Sequence, residues 1–290
     1  MRISTGDILK LANNTIIKNS RKICRTTQWR RFTSFFGCSP LVASKLWNRI
    51  TAKRLSPSRY FTPKHLLWTL LWLKLYATDH VLASMCGCDE KTFRKWVWIG
   101  VDVLADLDLI KWSNRYKKDV GCLCLVTIDG SDFKIYEPSP FSRKWYSHKI
   151  EHAALRYEIG ICIQTGWIVW INGPYAAGYW PDLAISRDGL TDALDKDELF
   201  LADGTYRDGH GWCLTPTGRN NPDQYMKAVA RARHECVNGL FKKYRVLETC
   251  FRHHRTKHGM VLTAVANVIQ AKIQLEKPVF QVNYDDNYHN

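Results

Sequence analysis

The chain has 290 residues, with 42 Lys+Arg against 27 Asp+Glu and a formal net charge of +15. A hydrophobic fraction of 46% with twelve tryptophans excludes a disordered chain. The most apolar run, Leu66 to Tyr76, is broken by Thr69 and Lys74 and falls short of the roughly 20 residues that a membrane span requires.

The charge is unevenly placed. Residues 1–118 hold 22 Lys/Arg and 7 Asp/Glu, whereas residues 119–290 hold 20 of each. Such asymmetry predicts a polyanion-binding module joined to a second part of different purpose. Ten cysteines without an apolar secretion signal read as reduced thiols of the cytosol or nucleus, and the Arg-rich, acid-poor start is loosely similar to a transit peptide. Cys250, His253, His254 and His258 could supply half a metal site; without a Cys-x-x-Cys partner, a basic solvated patch is the alternative.

In chain order, residues 1–60 form a basic N-terminal arm or helical segment, with clusters at Arg21-Lys22, Arg30-Arg31 and Lys53-Arg54. Phe35, Phe36, Leu41, Val42, Leu46, Trp47 and Ile50 predict at least one packed helix within it. Thr62 followed by Pro63 marks a helix start, and the Leu/Trp-rich run to Ala77 is apolar around most of its circumference, as in a buried helix. Val81 to Met85 then leads to Gly87, suited to the left-handed geometry after a helix, and Asp89 caps the next one. There Phe93, Trp96, Val97, Gly100, Val103, Leu104 and Leu107 recur at helical spacing. Helix, tight turn and helix over 61–118 predict a helix-turn-helix. Lys91, Thr92, Arg94 and Lys95 lie at the start of its second helix, where cations oppose the macrodipole but suit a helix whose N-terminus enters the DNA major groove. An ordinary helical hairpin with a charged face is the competing reading.

After a linker at 113–119 the pattern becomes mixed. Cys122 to Ile128 predicts a buried strand ending at Asp129-Gly130, with Phe133 to Tyr136 a second short strand. Tyr157 to Gln164 and Trp167 to Ile171, joined by Thr165-Gly166, predict a hairpin. Residues 182–194 read as helical, Glu198 to Ala202 as a buried strand ending at Asp203-Gly204, and Pro222 to about Leu247 as one long helix. The polar tail from Asn283 is expected to be mobile. The order of elements predicts an α/β fold with a mixed sheet.

Two strand ends carrying Asp-Gly are either turns or a ligand site at a sheet edge. Glu235 bears on the choice. At about 100° per residue it falls some 160° from Val237, near Arg231, Ala228, Gly239 and Lys242, so it is not core. It is either a surface carboxylate paired with Arg231 or one facing a crevice. Three converging carboxylates repel unless a cation joins them, and hard Mg²⁺ or Mn²⁺ fits oxygen ligands. Two such ions would activate a water or 3′-hydroxyl against a phosphodiester.

Asp129-Gly130, Arg143-Lys144-x-Tyr146-Ser147, Gly173 to Gly178 with Trp180-x-Asp182, Ala202-Asp203-Gly204-Thr205-Tyr206 and Arg231-x-Arg233-x-Glu235-x-x-x-Gly239-x-x-Lys242 stand in a telling order. Together they make the region from about 120 to 270 resemble the DDE-type endonuclease domain of Harbinger-like transposases, and with it related insertion-sequence transposases and their domesticated nuclease derivatives. The resemblance implies an RNase H-like (retroviral-integrase-like) core over 119–282. Its first aspartate lies on the first strand, its second after the fourth, and its glutamate on a following helix. Carried over by position these are Asp129, Asp203 and Glu235, the implied catalytic and metal-binding residues, with Asp182 either a residue supporting the ligands or an alternate ligand. Arg143, Lys144, Arg231 and Lys242 become phosphate contacts by the same mapping. Thr205 stands where the family more often has a small residue, a departure expected to alter only the turn.

What the resemblance implies is a nuclear, Mg²⁺- or Mn²⁺-dependent transposase that cuts DNA at terminal inverted repeats, as a homo-oligomer or with a separate Myb-like DNA-binding subunit. The alternatives are a domesticated DNA-binding protein without cleavage and an RNase H-like nuclease acting on another nucleic acid.

Overall fold

Helices fill the first part of the chain where apolar periodicity is sustained, and several of them start at residues that satisfy the orphan amides of a helix start. In the computed structural model the described residues are 2–18, 23–55, 59–116, 122–207, 209–216, 222–276, 279–282 and 284. They form α1 (Thr5–Ala12), α2 (Arg25–Phe36), α3 (Pro40–Ala52), α4 (Pro63–Leu75), α5 (Asp79–Cys86), α6 (Glu90–Ala105), then β1 (Cys124–Lys134), β2 (Tyr146–Ser147), β3 (His152–Cys162) and β4 (Ile168–Ala176). Next come α7 (Asp182–Ile185), α8 (Thr191–Ala193), β5 (Leu199–Leu201), β6 (Cys213–Leu214), α9 (Pro222–Phe241), α10 (Arg245–Glu248) and α11 (His258–Glu276). None of the described helices is long and apolar enough to cross a membrane.

The chain divides into two units. The first comprises Met1–Leu109, Phe241–Thr249 and Thr256–Leu275; the second comprises Ile110–Leu240, Cys250–Arg255 and Glu276–Asn290. The expected boundary at 118/119 and the basic pair Arg21-Lys22 lie outside the described residues.

In the first unit, Ser4, Ser39 and Asp89 each accept a backbone N–H one turn on, from Asp7, Val42 and Thr92. Residues 1–60 therefore carry packed helices, with Ile8, Phe32, Phe36, Leu46, Trp47 and Ile50 buried. α4 is buried without interruption from His65 to Leu73. It lies so close to α6 that a Cβ built on Gly100 would overlap the Thr69 hydroxyl. At the end of α6, Asn267 donates to the carbonyls of Leu104 (2.9 Å) and Ala105 (3.0 Å) and accepts from the Leu109 N–H. One buried side chain thus replaces the water those orphan groups would otherwise need.

His65 receives the Thr62 N–H at 3.0 Å on Nδ1 and stacks on Trp96 with ring centroids 4.1 Å apart. Burial, with Lys64 adding to it, lowers its pKa from 6.5 to about 4, and burial takes His258 to about 3. Both histidines fold neutral, so the stability they contribute is complete above the unfolded pKa near 6.5 and is lost as pH falls from there toward the folded values. Denaturant titrations at pH 7 and pH 5 should show the loss, and His65→Gln should weaken the protein at pH 7 while flattening its pH dependence. An unchanged pH dependence in that variant would remove His65 from the account.

The second unit is a mixed α/β layer built on a six-stranded sheet in the order β2-β3-β1-β5-β6, with β4 also paired to β3. β1, β3 and β4 run antiparallel, whereas β5 and β6 run parallel to β1. The expected hairpin is present as β3–β4. The split of β1 into two short strands is not: it runs unbroken through Asp129-Gly130 because the antiparallel ladder to β3 continues from Val126↔Cys162 to Lys134↔Ala154. Pairing with β3 overrides the turn preference of Asp-Gly. The helical stretch at 182–194 is kinked at Asp188 and Gly189, and the long helix expected to reach Leu247 stops at Phe241.

Nor is the segment after residue 112 a free linker. Arg115, 3% exposed, forms a two-pronged pair with buried Glu198 (Nε–Oε1 2.8 Å, Nη2–Oε2 3.0 Å). Of the tail expected to be mobile, Tyr284 is described. It is buried, with its carbonyl accepting from Gln164 at 2.8 Å.

Candidate active site

Asp129 and Asp203 meet because of where a ladder stops. The parallel pairing of β1 with β5 ends at Thr127↔Leu201, two residues before each aspartate, so both carboxylates lie just past the last rung. Thr127 and Asp129, two apart on β1, point to the same side of the sheet. α9 covers that side, and two polar pairs join them. His234 Nδ1 lies 2.7 Å from the Thr127 hydroxyl, and Asn238 Nδ2 donates to Asp129 Oδ2 at 3.0 Å. Two strand residues span roughly 6.6 Å and four helical residues roughly 6 Å, so the partners match.

Glu235 follows His234 on α9 and is exposed, as its helical phase predicts. It lies near enough to act on Asp129. Burial raises the Asp129 pKa from 3.8 to about 6, Glu235 and Asp203 push it further up, and Lys149 and Arg231 oppose them. These three predicted carboxylates therefore share one electrostatic neighbourhood. Arg231, expected beside Glu235, places its guanidinium 3.9 Å from Asp203.

Asp203 caps the turn that follows β5. Its Oδ1 accepts the Thr205 N–H at 2.9 Å and also the Thr205 hydroxyl, which lies 3.4 Å from Asp182 Oδ2. The threonine that departs from the family pattern thus touches two of the candidate carboxylates rather than merely reshaping a turn. Asp182, at the start of α7, stands directly over Gly130, where any Cβ would overlap its Oδ1. Burial raises the Asp182 pKa, and Arg156, 3.3 Å away, lowers it. Gly130→Ala should therefore displace Asp182 and cost about 1–3 kcal/mol by overpacking. A denaturation curve superposable on the parent's would mean that Asp182 gives way freely.

Several participants escaped the sequence reading. Lys149 donates to the Gly130 carbonyl at 3.2 Å. Arg156 holds Asp132 through bonds of 2.7 and 2.9 Å. Glu158 is fully buried, receives the Trp170 indole N–H at 2.8 Å, and is raised by burial to about 8. Tyr206 is buried with its hydroxyl unpartnered, and burial, reinforced by Glu158, Asp182, Asp129 and Asp203, raises its pKa far above 10. Two charged residues alternating with Leu155, Tyr157 and Ile159 on one strand, and an asparagine three residues after Glu235, were the available signals.

The remaining predicted contacts are dispersed. Arg143 and Lys144 are exposed on a 3₁₀ turn before β2. In the first unit Lys242, in the turn after α9, Lys91 and Lys95 are exposed and Thr92 is half-buried. Arg94 is tied to Asp79 at 2.8 Å and to Glu90 at 3.8 Å.

The donor set suits a hard cation in kind, since the groups are oxygens, although Asp182 Oδ1 already faces the Arg156 guanidinium at 3.3 Å. In position it is not closed, since among the described residues no group of three or more acidic, histidine or cysteine side chains stands together as a metal cage. Comparison with known proteins finds no matching family model, no matching curated protein and no matching solved structure.

Proposed function

We propose that the chain is a metal-dependent DNA endonuclease of the DDE transposase type, with Asp129, Asp203 and Glu235 as its acidic centre. The observation that carries this reading is that Asp129 and Asp203, distant in sequence, lie just past the last rung of one parallel ladder, with Glu235 of α9 near enough to push the Asp129 carboxyl up. Leaving aside the two-residue β2, Asp129 is on the first strand, Asp203 follows the fourth and Glu235 is on a later helix. That is the arrangement implied for an RNase H-like core. α5, the Gly87 turn and α6 support a helix-turn-helix reading, with Lys91 and Lys95 open to a phosphate backbone.

In this mechanism the residues of the chain bind and orient. Asn238 fixes one oxygen of Asp129 and leaves the other for a cation. Arg231 and Lys149 are placed to hold phosphate oxygens, and burial of Asp129 against β1 and α9 excludes water from one side. Asp129, Asp203 and Glu235, with Asp182 beside them, are the residues that would hold Mg²⁺ or Mn²⁺, which would supply nucleophile activation and charge neutralisation at the leaving oxygen. A nuclear location, terminal inverted repeats as target, and a second copy or a Myb-like subunit as partner belong to the same reading.

Incubation of the full chain with supercoiled and linear duplex DNA in Mg²⁺, Mn²⁺ or EDTA tests it. Nicking that needs the metal and disappears in both Asp203→Asn and Glu235→Gln supports the proposal. Cleavage that survives both substitutions, or none on any duplex, overturns it, and cutting confined to an RNA–DNA hybrid would favour the alternative nuclease.

A further inference from the structure

We propose that a basic, aromatic surface of the second unit, made by Tyr136, Arg143, Lys144, Trp145, Tyr179 and Arg255, binds single-stranded DNA by stacking its unpaired bases. Tyr179 is 70% exposed and Tyr136 is 62% exposed, the kind of large apolar area that folding alone hides. The Tyr179 ring projects from a fixed backbone. Gly178 N–H donates to the Lys144 carbonyl at 2.9 Å, and the amides of Tyr179 and Trp180 both donate to Ala176, at 3.0 and 3.1 Å. A Cβ on Gly178 would overlap the carbonyls of Arg143 and Tyr146, so this turn is pressed onto the segment that carries the cations.

The other parts converge by backbone pairing. Ile135 bridges Phe251, and Phe251 N–H donates to Lys134 at 2.9 Å, which sets Tyr136 beside the 250–255 segment. From that segment Arg255 reaches over Trp145, with Cζ 5.1 Å from the ring centroid, and Lys144 Nζ lies 5.3 Å from the same ring. Trp145 thus seats two cations on one ring.

Charge selects the partner. Residues 134–149 hold four Lys/Arg and one acid, and residues 250–255 hold two Arg and no acid. The core of a protein interface is depleted in charge, whereas rings interleaved with cations are the pattern that tracks a phosphate backbone and stacks its bases. A duplex keeps its base faces to itself, so the tyrosines favour an unpaired strand. Tyr179 lies three residues before Asp182 in the chain. The surface rests on the nucleic-acid reading above for its role, and on its own chemistry for its binding.

Fluorescence anisotropy of the full chain in EDTA, with a short single-stranded oligonucleotide, its RNA counterpart and a hairpin duplex of the same sequence, tests the proposal. Tyr179→Ala should weaken single-stranded DNA binding about tenfold and leave duplex binding within about twofold, with Tyr179→Phe restoring affinity. Equal binding by Tyr179→Ala and the parent, equal losses on single strand and duplex, or tighter binding of the RNA would each overturn it. Because no divalent ion is present, a negative result here leaves the cleavage reading standing, and failure to cleave leaves this binding result intact.

Discussion

Asp129→Asn is expected to lower metal-dependent cleavage on the order of 10²–10³-fold, the loss typical of removing one preorganised electrostatic group. The same change should stabilise the metal-free protein. The Asp129 carboxyl is raised from 3.8 to about 6, chiefly by burial, and at 1.36 kcal/mol per unit that disfavours the ionised fold by about 3 kcal/mol. The sign follows from linkage. A raised folded pKa adds no penalty below the unfolded value near 4; the penalty grows as pH rises to about 6 and is complete above it. An asparagine cannot ionise, and its side-chain oxygen still accepts from Asn238. Melting curves of parent and variant should therefore separate at pH 7.5 and coincide near pH 4. A variant that cleaves as well as the parent, or one stabilised equally at both values, would contradict this account. Activity and stability are thus set against each other at one position.

The second large effect concerns the approach to β5. Arg115→Ala should destabilise the protein by about 3–5 kcal/mol, because it leaves the Glu198 carboxylate buried without its partner. Arg115 grips both oxygens of Glu198, and its guanidinium lies between Trp112 and Tyr116, 4.2 and 4.1 Å from their ring centroids. Glu198 in turn receives the Asp195 N–H at 2.9 Å, fixing the turn that feeds β5 and hence Asp203. Urea denaturation of Arg115→Ala, Glu198→Ala and the double variant would show the coupling. The double variant should lose less than the sum of the two single changes, and simple additivity would mean that the pair acts as two independent surface charges.

Local chemistry with one solution could be read directly from the residues. Asp89 caps α6, Pro63 opens α4, and the β3–β4 hairpin turns at Thr165-Gly166, because each depends on neighbours a few positions away. What escaped depends on pairing at a distance. Asp129-Gly130 has the composition of a turn, yet β3 carries β1 straight through it, and the glycine serves instead to admit Asp182. Arg115 and Lys149 looked like members of basic stretches. Only the fold shows that one is buried against Glu198 and the other reaches the Gly130 carbonyl. Helical phase placed Glu235 on the outside correctly, but could not foresee that Arg233, His234 and Asn238 are buried as well. Their partners on β1 and β3 lie about 70 to 110 residues away.

The two polar pairs between β1 and α9 also bear on inheritance. Sliding α9 by one turn would set Ala230 against Thr127 and strip that hydroxyl of its partner, so the pairs Thr127–His234 and Asp129–Asn238 hold only one alignment. Positions 129 and 238 are therefore linked characters. On the proposed nuclease reading, relatives that keep His234 while differing at both 129 and 238 would be ones that hold the alignment without the acidic centre.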